Sequence, residues 1–293
     1  MQQSSLTAVF MPLALAVLML GLGLSLTRDD FKRIFVYPRA VFVGLACQML
    51  LLPAVAYLLA KGLDLPPEIA VGLMLLAASP GGPTANLFSH LAHGDVALNI
   101  TLTATNSVLS LVTLPLIINF ALQQFAGSGK TIPLQAGKVI QVVGLVLLPV
   151  LLGMLVRHAK PALAARLDKP VRTISAVFLF LIIAATVAHE RENLGKMLLI
   201  AGPAALAFNL ASMAVGYLVP RLARVPERRA VAIGMEVGIH NGTLAIAIAS
   251  SPLLLNNPQM AVTPAIYSLI MFFTATAFGY WAARQRLVLA PAT

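Results

Sequence analysis

The sequence predicts an all-α polytopic membrane protein with an inverted-repeat, transporter-type fold, in which two discontinuous helices cross near the middle of the bilayer. Three observations predict it. The 293 residues are 59% hydrophobic and only 10% charged, whereas soluble domains carry about 25% charged residues. Apolar runs long enough to span a membrane recur along the whole chain. Two of these runs are interrupted by residues that a continuous helix does not tolerate well.

Nine apolar segments separated by short polar breaks are predicted to cross the membrane. They cover approximately residues 6–26, 40–60, 69–93, 96–125, 139–156, 171–188, 197–219, 230–255 and 261–283. Fifteen of the twenty Lys and Arg residues fall in alternate connections and in the C-terminal tail, and five fall on the opposite side. Because positive charge collects on the cytoplasmic side, the N-terminus is predicted outside and the C-terminus inside. The net charge of +10 therefore reports orientation, and no nucleic-acid partner is predicted.

The third and eighth segments are the interrupted ones. In the third, two prolines bracket two glycines at Pro80-Gly81-Gly82-Pro83, and proline cannot continue a helix because it lacks an N–H and clashes one turn back. The eighth carries Glu236, His240 and Asn241 in its middle, among glycines. Such a polar centre is tolerated only where it faces protein, ions or water, so we interpret both segments as broken helices.

The positions of the two breaks indicate an internal repeat. If the second half begins at about residue 134, its break comes about one helix later than the break of the first half. The halves then form two five-helix repeats, the first lacking its opening helix, and matching helices run in opposite directions. Inverted repeats with paired broken helices are typical of secondary transporters, whose binding sites lie near the bilayer midplane.

Glu236 is the only acidic residue deep within a predicted span. It could be a protonated acid that hydrogen-bonds between helices, a proton carrier or a cation ligand, and intramembrane ionisable groups usually mark ion pathways. A hard cation such as Na⁺ would also need amide or hydroxyl oxygens. Asn99, Thr103 and Asn106 fall near i, i+4 and i+7, on one face of the fourth span. Each could be a ligand or could join helices by ordinary polar contacts.

Other polar groups near the breaks remain open to more than one interpretation. His240 could bind an anion, carry a proton or satisfy a backbone group, and Gln48 is expected to face a buried partner. The helix N-termini that follow Gly82 and Asn241 offer free N–H groups and positive dipole ends, so both are candidate contacts for an anion.

Together these motifs resemble the bile acid:sodium symporter family. The resemblance rests on the motif from Ser79 to Asn86, the polar fourth span and the motif from Glu236 to Asn241, and it covers nearly the whole chain. It implies a bacterial inner-membrane protein of the nine-span form, with a core domain and a panel domain. The panel would comprise residues 1–36 and 133–195, and the core residues 37–132 and 196–293.

The resemblance also implies two sodium sites. The residues that it assigns to the first are Asn86, Asn99, Thr103 and Glu236. Those that it assigns to the second are Gln48, Glu236 and the backbone carbonyls of Val237 and Ile239, with His240 where many members have glutamine. Because a protonated histidine would repel Na⁺, this replacement puts the second site in question. The residues expected to contact the substrate are Thr84, His240, Asn241 and Gly242.

The function expected from this resemblance is Na⁺-coupled uptake of an organic anion, bile-acid-like or a small carboxylate such as pantoate, by alternating access. The partners would be the anion and membrane lipid, with no required protein partner. The alternative within transport is proton coupling through Glu236 and His240. Arsenite carriers are disfavoured because the cysteine near their crossover is absent here, and an intramembrane enzyme is disfavoured because no His-Glu-x-x-His motif occurs and Ser79 has no adjacent base. A channel is disfavoured by the paired breaks.

Overall fold

The computed structural model describes residues 5–126, 136–167, 170–171, 173–174, 177 and 194–289, and within these ranges the chain is almost entirely helical. The helices are α1 (Ser5–Ser25), α2 (Arg28–Lys32), α3 (Pro38–Ala46), α4 (Leu52–Gly62), α5 (Pro67–Ala78), α6 (Pro83–Leu91), α7 (Val96–Phe125), α8 (Ala136–Ala159), α9 (Leu194–Leu222), α10 (Glu227–Gly238), α11 (Gly242–Ser250) and α12 (Val262–Leu289). A π-helical turn, Cys47–Leu51, joins α3 to α4. This wider turn accommodates Pro53, whose ring would otherwise clash with the carbonyl one turn back.

The described helices confirm an all-α membrane protein. Four helical segments in the described part of the chain are long and apolar enough to cross a bilayer, and they cover Pro38–Gly62, Val96–Phe125, Leu198–Leu222 and Pro258–Gln285. The sixth predicted span, 171–188, lies mostly outside the described residues, so the number of spans remains a prediction.

One predicted boundary is wrong. The eighth span was expected to reach residue 255, but α11 ends at Ser250. Ser251 adopts an extended conformation (φ −68°, ψ 127°), because the residue before a proline is displaced from the helical region and Pro252 follows it.

Both predicted breaks are present, and the two broken helices cross at them. The Gly82 N–H donates to the Ile239 carbonyl (3.0 Å), and the Asn241 N–H donates to the Pro80 carbonyl (2.8 Å). These two bonds form an isolated antiparallel bridge between the unwound segments. The crossing therefore satisfies backbone groups that the missing helical turns would leave without partners.

The two broken helices share one backbone plan. In each, a proline N-cap (Pro66 or Pro226) precedes a half-helix of 12 residues, and a second half-helix of 9 residues follows the break. Two residues before each proline stands a residue with positive φ, Asp64 (47°) or Arg224 (57°). The turn hydrogen bonds match as well: Leu65 N–H donates to the Ala60 carbonyl, and 160 positions later Val225 N–H donates to Pro220. This correspondence supports the predicted repeat.

The crossover lies at the centre of the main hydrophobic core. The half-helix α10 packs against α6, α7 and α9, while α5 packs against α7 and α12. Every residue of α10 from Ala230 to Gly238 is buried. α1 packs chiefly against α8, and the division of the chain into core and panel domains remains a prediction.

Candidate cation-binding site at the helix crossover

The Glu236 carboxylate occupies the centre of the crossing and is completely buried. The Thr103 hydroxyl lies 2.6 Å from Oε2 and 3.1 Å from the Asn99 carbonyl. A hydroxyl has one proton to donate, and the shorter contact assigns it to the carboxylate. The Asn106 amide lies 3.4 Å from Oε1. Helix α7 thus holds both oxygens of a carboxylate that belongs to α10.

Gly81 makes room for this carboxylate. A Cβ atom added at Gly81 would overlap both oxygens of Glu236, whereas a Cβ added at the neighbouring Gly82 would meet no atom closer than 3.5 Å. The absence of a side chain in the first break therefore allows the acid of the second break to lie directly against its backbone.

Several buried amide oxygens near the two breaks have no hydrogen-bond partner among the described residues. They are Oε1 of Gln48 and Oδ1 of Asn86, Asn99 and Asn106. A buried acceptor without a partner costs about 1–3 kcal/mol, and such groups in a native protein call for an explanation such as a bound ion or water. Oxygen acceptors with one carboxylate are the ligands that hard cations prefer. The residues predicted for the first sodium site therefore fit a sodium ion chemically.

The structure holds Asn99 and Thr103 in different ways. The Asn99 amide donates to the Ala232 carbonyl of α10 at 2.7 Å, which leaves its Oδ1 free, while Thr103 contacts Glu236 directly. Asn86 lies in α6, which packs against α10. On the face of the fourth span predicted from the sequence, Asn99 thus binds the backbone of α10 and Thr103 binds its carboxylate.

Gln48 and His240 meet at the carbonyl of Ser79 where α5 ends. Gln48 Nε2 donates to this carbonyl at 2.9 Å, and His240 Nδ1 lies 3.2 Å from it. The contact with the carbonyl needs a proton on Nδ1, which leaves the lone pair of a neutral ring on Nε2, whereas Gln48 Nε2, 3.3 Å from Nδ1, donates to the ring only in the opposite tautomer. His240 is buried, and its Nε2 has no partner among the described residues. In the Nδ1–H tautomer the neutral ring presents a nitrogen lone pair at Nε2.

His240 is held by aromatic rings on both neighbouring helices. It stacks on Phe208 of α9 (centroids 5.7 Å apart, interplanar angle 22°) and meets Tyr267 of α12 edge-on (5.4 Å, 65°). These contacts fix the orientation of the ring, and with it the direction of the Nε2 lone pair.

The two predicted backbone ligands occupy different positions. The Ile239 carbonyl already accepts the Gly82 N–H across the bridge, although a carbonyl can accept a second contact. Val237 lies in the last turn of α10, where helical carbonyls lack intrahelical partners and the helix dipole is negative. The end of α10 therefore suits a cation.

The predicted substrate residues surround the N-termini of α6 and α11. Thr84 and Asn241 are half-buried. Asn241 Oδ1 accepts the Leu244 N–H (3.0 Å), which leaves the Nδ2 protons to face a ligand. The Gly242 N–H donates to His240 O (2.9 Å), and a Cβ at Gly242 would overlap the Ser268 hydroxyl. Gly242 thus serves close packing against α12, and Thr84 and Asn241 are better placed to contact an anion.

Two site residues were not singled out from the sequence. The amide of Asn209 (3.1 Å) and the hydroxyl of Tyr267 (2.8 Å) both donate to the Gly238 carbonyl at the end of α10. Gln48 caps the first break in the same manner. A lone asparagine inside an apolar span was a usable signal, whereas the tyrosine among other aromatic residues was not.

A buried carboxylate at the crossing of two antiparallel broken helices defines the class of secondary membrane transporters. Residues 12–197 match the Sodium Bile acid symporter family, and the chain belongs to that family. Its relatives are transporters, and this chain is a membrane transport protein and not an enzyme.

Three relatives illustrate the similarity. An uncharacterised sodium-dependent transporter, YocS, of Bacillus subtilis (strain 168) is 31% identical over 88% of this chain and 78% of its own length. The human ileal sodium/bile acid cotransporter is 25% identical over 97% and 81%. A probable chloroplastic sodium/metabolite cotransporter, BASS2, of Oryza sativa subsp. japonica is 29% identical over 91% of this chain, which spans 62% of the plant protein.

Proposed function

We propose that this protein couples the inward movement of Na⁺ to uptake of an organic anion across a bacterial inner membrane. The observation that carries the proposal is the buried Glu236 carboxylate, which contacts Thr103 and Asn106 at the crossing. Nearby amide oxygens have no partner in the part of the chain that the structure describes. The names of the relatives, which include sodium-dependent and sodium/bile acid transporters, support the coupling ion. A bile-acid-like anion or a small carboxylate such as pantoate is the proposed substrate class.

Two sodium ions would share Glu236. The first would take oxygens of Asn86, Asn99 and Thr103, and the second would use Gln48, the end of α10 and the Nε2 lone pair of His240. Each Na⁺ that moves inward gains about 2.3 kcal/mol per 100 mV of membrane potential. Two cations with one monoanion would carry net positive charge inward, so transport would be electrogenic.

Ion binding would prepare the anion site through the crossing itself. The bonds from Gly82 to Ile239 and from Asn241 to Pro80 tie each unwound segment to the other. A cation that fixes Glu236 therefore also fixes the N-termini of α6 and α11, where Thr84 and Asn241 would contact the anion. The core would then move against the panel to alternate access.

Uptake into proteoliposomes with an imposed Na⁺ gradient tests the proposal. We expect wild-type protein to accumulate a labelled bile salt or small carboxylate with Na⁺ and not with choline, and Glu236→Gln to show no Na⁺-dependent uptake. Uptake by Glu236→Gln at the wild-type level would refute the role of the carboxylate.

Proton coupling is the second candidate, because the unpartnered Nε2 of His240 could accept a proton within the crossing. This mechanism predicts uptake driven by a pH gradient in sodium-free buffer, lost in His240→Gln. Na⁺ coupling predicts no uptake under those conditions and a Na⁺-dependent signal that survives in His240→Gln.

A further inference from the structure

A small cavity lies beside the crossing, between the π-helical turn and the middle of α7. Its volume is about 10 Å³, which is enough for about one water-sized particle, and Na⁺ is smaller than water. Three of its lining residues, Asn106, Ser110 and Thr113, recur at helical spacing on one face of α7. Gln48 forms part of the opposite wall, and Pro80 of the first break also lines it.

Each polar side chain of this cavity uses one N–H or O–H proton elsewhere, and Gln48 and Asn106 each keep a second amide proton. Gln48 Nε2 donates to the Ser79 carbonyl, and Asn106 Nδ2 faces Glu236. The hydroxyls of Ser110 and Thr113 donate to carbonyls of their own helix, those of Ser107 and Leu109.

Ser110 and Thr113 can therefore offer the cavity only oxygen lone pairs, and the amide oxygens of Gln48 and Asn106 add two further acceptors. The amide oxygens of Gln48 and Asn106 have no partner among the described residues, and the two residues are only 3% and 1% exposed. Hydroxyl oxygens whose protons are used elsewhere, together with two unpartnered amide oxygens, favour a cation over an anion in this cavity.

The position of the cavity connects it to Glu236. Asn106 belongs to both places, since its Nδ2 contacts the carboxylate and its residue lines the cavity. Thr113, Met49 and Ile117 at the other end are partly exposed within the described part of the chain. Thr113 and Ile117 lie nearer than Asn106 to the end of α7 that the charge distribution predicts to be external.

We propose that this cavity is an access site for Na⁺ that adjoins the crossover ligands and shares Gln48 and Asn106 with them, and at which the ion pauses before it reaches Glu236. The proposal rests on the proposed function, since it assumes that Na⁺ is the coupling ion. It gives Ser110 and Thr113 a role in cation selection, and it separates the path of the cation from the anion contacts at the N-termini of α6 and α11.

Charged thiol reagents test directly whether the electrostatic potential in the cavity favours a cation. Thr113→Cys, at the partly exposed position of the cavity, would be purified in detergent and treated with a cationic and an anionic methanethiosulfonate, with rates normalised to free cysteine. Wild type gives the background, because its single cysteine, Cys47, is buried. We expect the cationic reagent to react at least about tenfold faster, and Na⁺ but not choline to slow the reaction. Equal rates without Na⁺ protection, or faster reaction with the anionic reagent, would overturn the proposal.

A matched pair of threonines tests the same cavity through transport. Thr113 and Thr105 lie on the same helix and each donates to the carbonyl four residues earlier, but only Thr113 lines the cavity. We expect Thr113→Val to raise the Na⁺ concentration for half-maximal uptake about threefold or more, and Thr105→Val to leave it within about twofold. Equal effects of the two substitutions would contradict the proposal. Wild-type uptake that does not depend on Na⁺ would instead refute the proposed function.

Discussion

The two broken helices share a backbone plan but carry different chemistry. Both have half-helices of 12 and 9 residues, a proline cap and a positive-φ residue at matching positions. Yet the first break, around Gly81, contributes backbone groups and space, while the second contributes the carboxylate of Glu236 and the imidazole of His240. The repeat thus builds a symmetric crossing, and the ionisable side chains at the crossing belong to the second broken helix.

The largest effect is expected where Gly81 of the first break contacts Glu236 of the second break. Gly81→Ala would place a Cβ on the Glu236 carboxylate, and overpacking of this kind costs about 1–3 kcal/mol. We expect Na⁺ affinity, measured by titration of uptake, to fall by about tenfold or more. Gly82→Ala is the matched control, since its Cβ would meet only ordinary contacts, and it should keep Na⁺ affinity near the wild-type value. If Gly81→Ala and Gly82→Ala have the same Na⁺ affinity, the first break does not act by making room for the Glu236 carboxylate.

The next largest effect concerns the hydrogen bond from Thr103 of α7 to Glu236. Thr103→Val removes the hydroxyl that donates to Glu236 at 2.6 Å. Hydrogen bonds to charged groups contribute about 1.5–3 kcal/mol, so the dissociation constant for Na⁺, measured by calorimetry, should rise about tenfold or more. Thr101→Val loses only a bond to the Ala97 carbonyl of its own helix. Its dissociation constant for Na⁺ should stay within about twofold of the wild-type value. Unchanged affinity in Thr103→Val would remove this residue from the ion site.

The smallest effect is expected at the carbonyl that ends α10. Tyr267→Phe removes one donor to Gly238, but Asn209 still donates to the same carbonyl. The free energy of unfolding should therefore fall by only about 0.5–1.5 kcal/mol, seen as a small decrease in Tm in detergent, with Na⁺ affinity unchanged. A loss of Na⁺ binding in this variant would mean that the cap of α10 belongs to the ion site.

Much of the difference between the two broken helices could be predicted from the sequence. Proline and glycine at 80–83 stop a helix by their covalent structure, and a carboxylate in the middle of an apolar segment needs a protein environment wherever the segment lies. The helical spacing of Asn99, Thr103 and Asn106 correctly placed them on the face of α7 that meets α10.

What the sequence did not contain was the pairing of distant groups. Thr103 and Asn99 share a helical face, but only packing decides that one contacts Glu236 and the other the Ala232 carbonyl. The same holds for the double cap on Gly238, whose donors come from α9 and α12. These choices depend on distances between helices, which local residue patterns do not specify.

If Glu236 holds a sodium ion where the broken helices cross, thermal unfolding in Na⁺ and in choline at equal ionic strength will differ. A ligand at 100 times its Kd stabilises the folded state by about 2.7 kcal/mol. The account predicts that Na⁺ raises the Tm of the wild-type protein and does not raise that of Glu236→Gln. An equal rise in both proteins, or no difference between Na⁺ and choline in the wild type, would contradict it.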